Sequence, residues 1–186
     1  MTALVIVPGW LDSGPTHWQT LWEKSYPGSL RVEQDDWEHP VCSDWVARLN
    51  QTLGEVEAGE DVVIVAHSLG CATTAHWAAH ASLLEQKRVR GALLVAPPDL
   101  DDPRFSVVPA RGFSPLPDWN LPFPVTVVAS ADDPYCMPER ARAMASAWGA
   151  RFVALGAAGH INADSGLGQW EFGSRLLQRL ILDGSR

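Results

Sequence analysis

Val62-Val63-Ile64-Val65-Ala66-His67-Ser68-Leu69-Gly70-Cys71-Ala72 is the stretch on which the reading of the whole chain turns. It opens with four β-branched apolar residues and no alternation of polarity. Such a run predicts a strand buried on both faces, as in a parallel sheet. The chain then turns sharply at His67-Ser68-Leu69-Gly70 and continues into small, helix-compatible residues from Cys71 to Ala79. Strand, tight turn with a central Ser, then helix is the context of a nucleophile elbow, where a strained backbone lifts the serine clear of the sheet. Strand and helix pass close together there, which requires small neighbours, and Ala66 and Gly70 supply them. The common form of the motif carries Gly where this chain has Ala66. A Ser between small residues also occurs in plain structural turns, so the order of residues downstream decides. Ser68 is followed by Asp132-Asp133 after one later strand and by His160 after the next, which is the serine, acid, histidine order of such enzymes.

The bulk properties are compatible with this. At 186 residues, 46% apolar and 19% charged, the chain is expected to form one globular domain over 1–186. A formal net charge of −8 argues against a nucleic-acid partner, which needs a basic face. Three cysteines, Cys42, Cys71 and Cys136, are too few for a disulfide framework and suggest a reducing compartment. The sequence opens without a basic region or a long apolar run, so a cytoplasmic location and no membrane partner are expected. The nine tryptophans are assigned to core and pocket walls.

The predicted elements alternate. Strands are expected at 3–7, 30–34 (weaker, near an edge), 62–65, 91–96, 125–130 and 151–155. After the first strand, Pro8-Gly9-Trp10-Leu11-Asp12-Ser13-Gly14-Pro15 is rich in breakers. Thr16, with Gln19 three residues on, reads as a capping box opening a helix with Trp18, Leu21 and Trp22 on one face. His17 is expected to brace this loop, while Trp37 either reaches the site or packs in the core. Ser43 reads as the cap of a second helix, with Val46, Leu49, Leu53 and Val56 on its apolar face. The loop after the first strand is where a backbone N–H completes an oxyanion hole, and position selects Trp10, with Leu69 as the first donor. His76 and His80 stand at i, i+4, a spacing that can hold a metal. No third ligand is evident, so they read as surface histidines and no metal is expected. The segment 97–124 contains eight prolines and reads either as a partly ordered flap over the site, with Phe105, Phe113 and Trp119 as candidate walls, or as a simple surface wrap. One of Asp132 and Asp133 should orient the imidazole of His160, and the residues themselves leave open which. Asn162 and Asp164 read as local braces of the histidine loop.

Val-Pro-Gly-Trp at 7–10, His17-Trp18, Ala66-His67-Ser68-Leu69-Gly70, Asp132-Asp133-Pro134 and Gly159-His160 together resemble the small serine-hydrolase family of α/β-hydrolases. That group includes the bacterial YdeN-like proteins and the retinoblastoma-binding-protein-nine type. The motifs run from 7 to 160 in the family's order. The resemblance implies a compact α/β-hydrolase with a six-stranded, mostly parallel sheet flanked by helices and no large cap domain. It implies a triad of Ser68, His160 and Asp133, the second Asp being the one that matches the family's acid. It gives His67 no part in the triad. The expected activity is that of a serine hydrolase, esterase-like, acting on a small-molecule ester through an acyl-enzyme with no cofactor. Two other classes compete. One is an inactive binding protein on a hydrolase fold. The other is a nucleotide- or flavin-binding doubly wound domain, which would want a Gly-rich phosphate cradle that Gly9 and Gly14 do not form.

Overall fold

The computed structural model describes residues 2–105 and 109–183. Six strands form one sheet: β1 (Thr2–Val7), β2 (Leu30–Arg31), β3 (Asp61–His67), β4 (Val89–Val95), β5 (Val125–Ser130) and β6 (Arg151–Leu155). Their order is β2-β1-β3-β4-β5-β6, and every neighbouring pair is parallel. The helices are α1 (Trp18–Ser25), α2 (Cys42–Glu55), α3 (Leu69–His80), α4 (Leu83–Arg88), α5 (Pro138–Ala147) and α6 (Glu171–Asp183).

Both faces of the sheet are covered, which is why its central strands show no alternation. Val62, Ile64 and Ala66 of β3 pack with α2, α3 and α5, whereas Val63 and Val65 pack with Trp18, Trp22, Trp170 and α6. The neighbouring β1 and β4 divide their residues in the same way. Each of these three strands thus contributes to two cores, and an unbroken apolar run through its middle is the consequence. The expected strand 30–34 shortens to two paired residues at the sheet edge, where one side has no neighbour to pair with.

Two predicted helix starts are corrected. The cap of α1 is His17, not Thr16: the Gln19 N–H donates to His17 Nδ1. The Gln19 side chain does not turn back to a capping box. It is buried, and its Nε2 donates to the carbonyls of Val7 and Val65 at the ends of β1 and β3. In α2 the capping position belongs to Val41 with no side-chain cap, and the Ser43 hydroxyl donates to its neighbour Asp44. The Cys42 N–H is satisfied by the Arg111 carbonyl, so a distant segment does the work of a cap.

The proline-rich segment is also relocated. Phe113 is fully buried between α2 and α3, edge-on to Trp45 and to His76. Trp119 is exposed, and the nearby Pro117 carbonyl accepts from Trp148 Nε1 on the α5 side. Residues 106–108 and the side chain of Phe105 lie outside the described residues. The described part of 97–124 packs Phe113 against these helices, while Asp99 at its start donates its N–H to the Tyr135 carbonyl.

All three cysteines are buried and unpaired. Burial pushes the thiol of Cys42 up to about 11 and that of Cys136 up to about 12, and raises that of Cys71 well above its ordinary range. Among the described residues no helix is long and apolar enough to cross a membrane.

Candidate active site

The C-terminal ends of parallel strands share one edge of a sheet, and loops leaving that edge form the usual ligand crevice. Here Trp10 follows β1, Ser68 follows β3, Asp132 and Asp133 follow β5, and His160 follows β6. Residues far apart in the chain therefore converge on one cleft.

Ser68 is the hinge of the elbow. Its backbone sits at φ 53° and ψ −123°, outside the regions an L residue prefers. The surrounding structure holds it there. The Ser68 N–H donates to the Val95 carbonyl at 2.9 Å, extending the pairing of β3 with β4. Gly70 passes directly under the end of β1, where a Cβ would lie 2.3 Å from the Val7 carbonyl oxygen. Gly9 is equally constrained, since a Cβ there would stand 2.7 Å from that of Ser68. Ala66, at the position of the usual first glycine, is fully buried and is accommodated among the core side chains.

His160 Nε2 lies 2.8 Å from Ser68 Oγ, and His160 Nδ1 lies 2.9 Å from both carboxylate oxygens of Asp133. Asp133 is buried, and its Oδ1 also accepts the Tyr135 N–H at 2.9 Å. The structure thus separates the two aspartates. Asp132 is exposed and accepts from Ser130 Oγ and from the Gly159 N–H, both at 2.8 Å. Those two donors hold its carboxyl below the usual carboxylate range. Asp133 meets the imidazole, while Asp132 ties down the loop that carries it.

Leu69 is the first residue of α3, whose N-terminal N–H groups have no intrahelical acceptors. Trp10 stands in the loop that Gly9 presses against the elbow, where a Cβ on Gly9 would lie 3.3 Å from the Leu69 nitrogen. Neither the Trp10 nor the Leu69 N–H has an acceptor among the described residues. The loop itself is pinned: the Trp10 indole donates to the Glu38 carbonyl, Leu11 N–H to the Trp37 carbonyl, and Arg31 to Asp12. Trp37 packs edge-on against Trp45, so its ring belongs to the core and its carbonyl to the loop.

The cleft has a volume of about 250 Å³. Trp10, Leu11, Asp12, Tyr135 and Asn162 wall it around Ser68 and His160, and the Tyr135 ring lies edge-on to that of His160 at 4.5 Å. None of the described residues of 97–124 lines it. Asn162 braces the loop as expected, accepting from the Asp164 N–H to cap a short turn.

The sequence puts His17 and Trp18 beside the first loop and His67 beside Ser68, but three features of their surroundings carried no signal in it. His17 and His67 are buried beside the cleft with ring centroids 4.7 Å apart, and His67 lies 4.9 Å from His160. Burial lowers His17 to about 4, helped by Arg31 and His160, and holds His67 well below its ordinary value. Both are therefore neutral at pH 7. The third is the indole of Trp18, which donates to the Ile161 carbonyl in the loop that carries His160. By contrast His76 and His80 are occupied locally, with the Phe113 and His76 carbonyls. Among the described residues no group of three or more His, Cys, Asp or Glu could hold a metal.

A family model described as serine hydrolase matches residues 4–179. Among solved structures, the chain is similar to a protein described as a YdeN-like hydrolase from Pectobacterium atrosepticum, with 31% identity, 100% of this chain and 91% of that chain covered, and a TM-score of 0.83. It is also similar to the ydeN gene product of B. subtilis, at 18% identity, 97% and 99% coverage and a TM-score of 0.78. Est1E of Butyrivibrio proteoclasticus, solved with ferulic acid bound, shares the fold at 12% identity, 98% and 90% coverage and a TM-score of 0.70. A search of curated proteins gives no match.

Proposed function

Because this chain belongs to the serine hydrolase family and has the α/β-hydrolase fold, we propose that it is a carboxylesterase for small esters, working through Ser68, His160 and Asp133 by way of an acyl-enzyme. The observation that carries the reading is the unbroken hydrogen-bonded chain from Ser68 Oγ through both imidazole nitrogens to the Asp133 carboxylate, at 2.8 and 2.9 Å.

A hydroxyl is a weak nucleophile at neutral pH and needs an adjacent base. His160 Nε2 takes the Ser68 proton as Oγ attacks the ester carbonyl. Asp133 accepts from Nδ1–H, which fixes the tautomer and stabilises the imidazolium that forms. The oxyanion develops beside the Trp10 and Leu69 N–H groups, and loss of one such donor typically costs about 10²–10³ in rate. His160 then protonates the departing alcohol. Water, activated by the same imidazole, releases the acid and restores Ser68. The cleft of about 250 Å³ favours short acyl groups, since it is smaller than the roughly 300–1,000 Å³ of sites that take drug-sized ligands.

Labelling with a fluorophosphonate probe, read by peptide mass spectrometry, tests the reading. An adduct on Ser68 that is lost in His160→Ala is expected. A folded protein that takes up no probe at Ser68 overturns it.

A further inference from the structure

His160 stands on no regular element. It lies in the loop after β6, next to Gly159 at φ 56° and Ile161 at φ 50°. A base on such a loop is placed only as well as its tethers place it. Asp132 and Ser130 hold the N–H groups of Gly159 and Ala158, at 2.8 and 2.9 Å, and Trp18 holds the carbonyl of Ile161 at 2.8 Å. Those contacts fix the flanks. One contact reaches the backbone of the base itself: His67 Nε2 lies 2.9 Å from the His160 carbonyl oxygen.

A carbonyl only accepts, so His67 is the donor and carries its proton on Nε2. Its burial, with 5% of its surface exposed, keeps it a neutral imidazole of that one tautomer. The ring is held from the other side by His17, 4.7 Å away and edge-on. His17 Nδ1 accepts the Gln19 N–H, and its Nε2 is buried with no hydrogen-bond partner among the described residues. Because His67 and Ser68 are consecutive, this dipeptide grips His160 at two points. Ser68 Oγ meets the side chain, and His67 Nε2–H meets the main chain.

We propose that His67 is a positioning residue for the general base, its Nε2–H holding the His160 backbone so that the imidazole stays in reach of Ser68. The inference rests on the hydrolase reading above. A displacement of about 1 Å in a reacting group is enough to lower a rate about 10²-fold. Loss of the donor should therefore reduce kcat about 10- to 100-fold and leave KM within about threefold.

The test compares His67→Phe and His67→Leu, which remove the donor, with His67→Gln, whose side-chain amide can restore it. Two readouts are taken on each folded variant. One is kcat and KM on p-nitrophenyl acetate. The other is the low-field proton resonance of His160 Nδ1–H, which needs no turnover. The expected result is a kcat loss with a broadened or missing resonance in the donor-less variants, and recovery of both to within about fivefold in His67→Gln. Wild-type kcat and an intact resonance in either folded donor-less variant overturn the proposal, as does a His67→Gln no better than they are. If the wild type itself neither turns over ester nor labels at Ser68, the hydrolase reading fails. The resonance then decides the positioning claim alone, by the same comparison.

Discussion

Gly70→Ala is the substitution with the sharpest geometric consequence. The added Cβ would stand 2.3 Å from the Val7 carbonyl oxygen, 2.7 Å from that of Pro8 and 3.0 Å from the Val7 carbonyl carbon. All three are backbone atoms of the end of β1 and cannot rotate away. Ordinary contact begins near 3.4 Å, so the start of α3 and the end of β1 must separate by about 1 Å. Overpacking of this kind costs about 1–3 kcal/mol, and for a chain of this size each kcal/mol lowers Tm by about 2–4 °C. A Tm lower by about 2–12 °C is expected. The same shift separates Leu69 from Trp10, the two proposed oxyanion donors, and moves Ser68 against His160. The rate of Ser68 phosphonylation should drop about 10²-fold. Thermal unfolding and time-resolved probe labelling measure the two effects on one preparation. A Gly70→Ala protein with unchanged Tm and unchanged labelling rate would refute the close-approach argument.

Three further outcomes are expected. Ser68→Ala and His160→Ala should abolish ester turnover, with Asp133→Asn more damaging than Asp132→Asn; steady-state kinetics on p-nitrophenyl acetate decide, and the reverse order of the two aspartates would assign the acid wrongly. Acid should weaken the fold through His17, whose value is lowered from 6.5 to about 4 mainly by burial. The unfolded chain takes up this proton first, so the stabilisation is complete above pH 6.5 and is lost as pH falls towards 4, by about 3 kcal/mol. Urea unfolding across that window should show the loss, and His17→Asn, which keeps a capping side chain, should make it shallower, leaving the share of buried His67. Esters of acetate and butyrate should exceed octanoate by at least about tenfold in kcat/KM, as the cleft of about 250 Å³ leaves little room for a long chain; equal rates would show that the acyl group lies elsewhere.

The legible part of this molecule was what local chemistry determines. The runs at 62–65 and 91–96 announce strands because residues buried on both faces have nowhere to be polar. The serine turn and the later Asp and His show the site by their order. What stayed hidden depends on partners distant in sequence. Asp132 and Asp133 are chemically identical neighbours that only the family resemblance separated, and the fold tells them apart by pointing one at Nδ1 and the other at the Gly159 N–H. His17 caps α1 with an imidazole nitrogen, which no Ser, Thr, Asp or Asn pattern reveals. The start of α2 is satisfied by Arg111, 69 residues from Cys42, so Ser43 was a plausible but mistaken cap. Phe113 looked like a wall of the cleft because proline-rich loops often line ligand sites. Its ring instead found the gap between α2 and α3.

The burial of Cys42, Cys71 and Cys136 governs how the protein meets electrophiles. With Cys42 raised to about 11 and Cys136 to about 12, thiolate at neutral pH is scarcer than about one part in 10³. Alkylating agents and peroxide act on thiolate, so the native chain should tolerate both. A phosphonate that attaches at Ser68 of the folded protein therefore reports on an activated hydroxyl, with little background from sulfur. A thiol-directed alkylator begins to mark cysteines only when the cores open. The two electrophiles together distinguish the folded chain from the opened one by which of them is found attached.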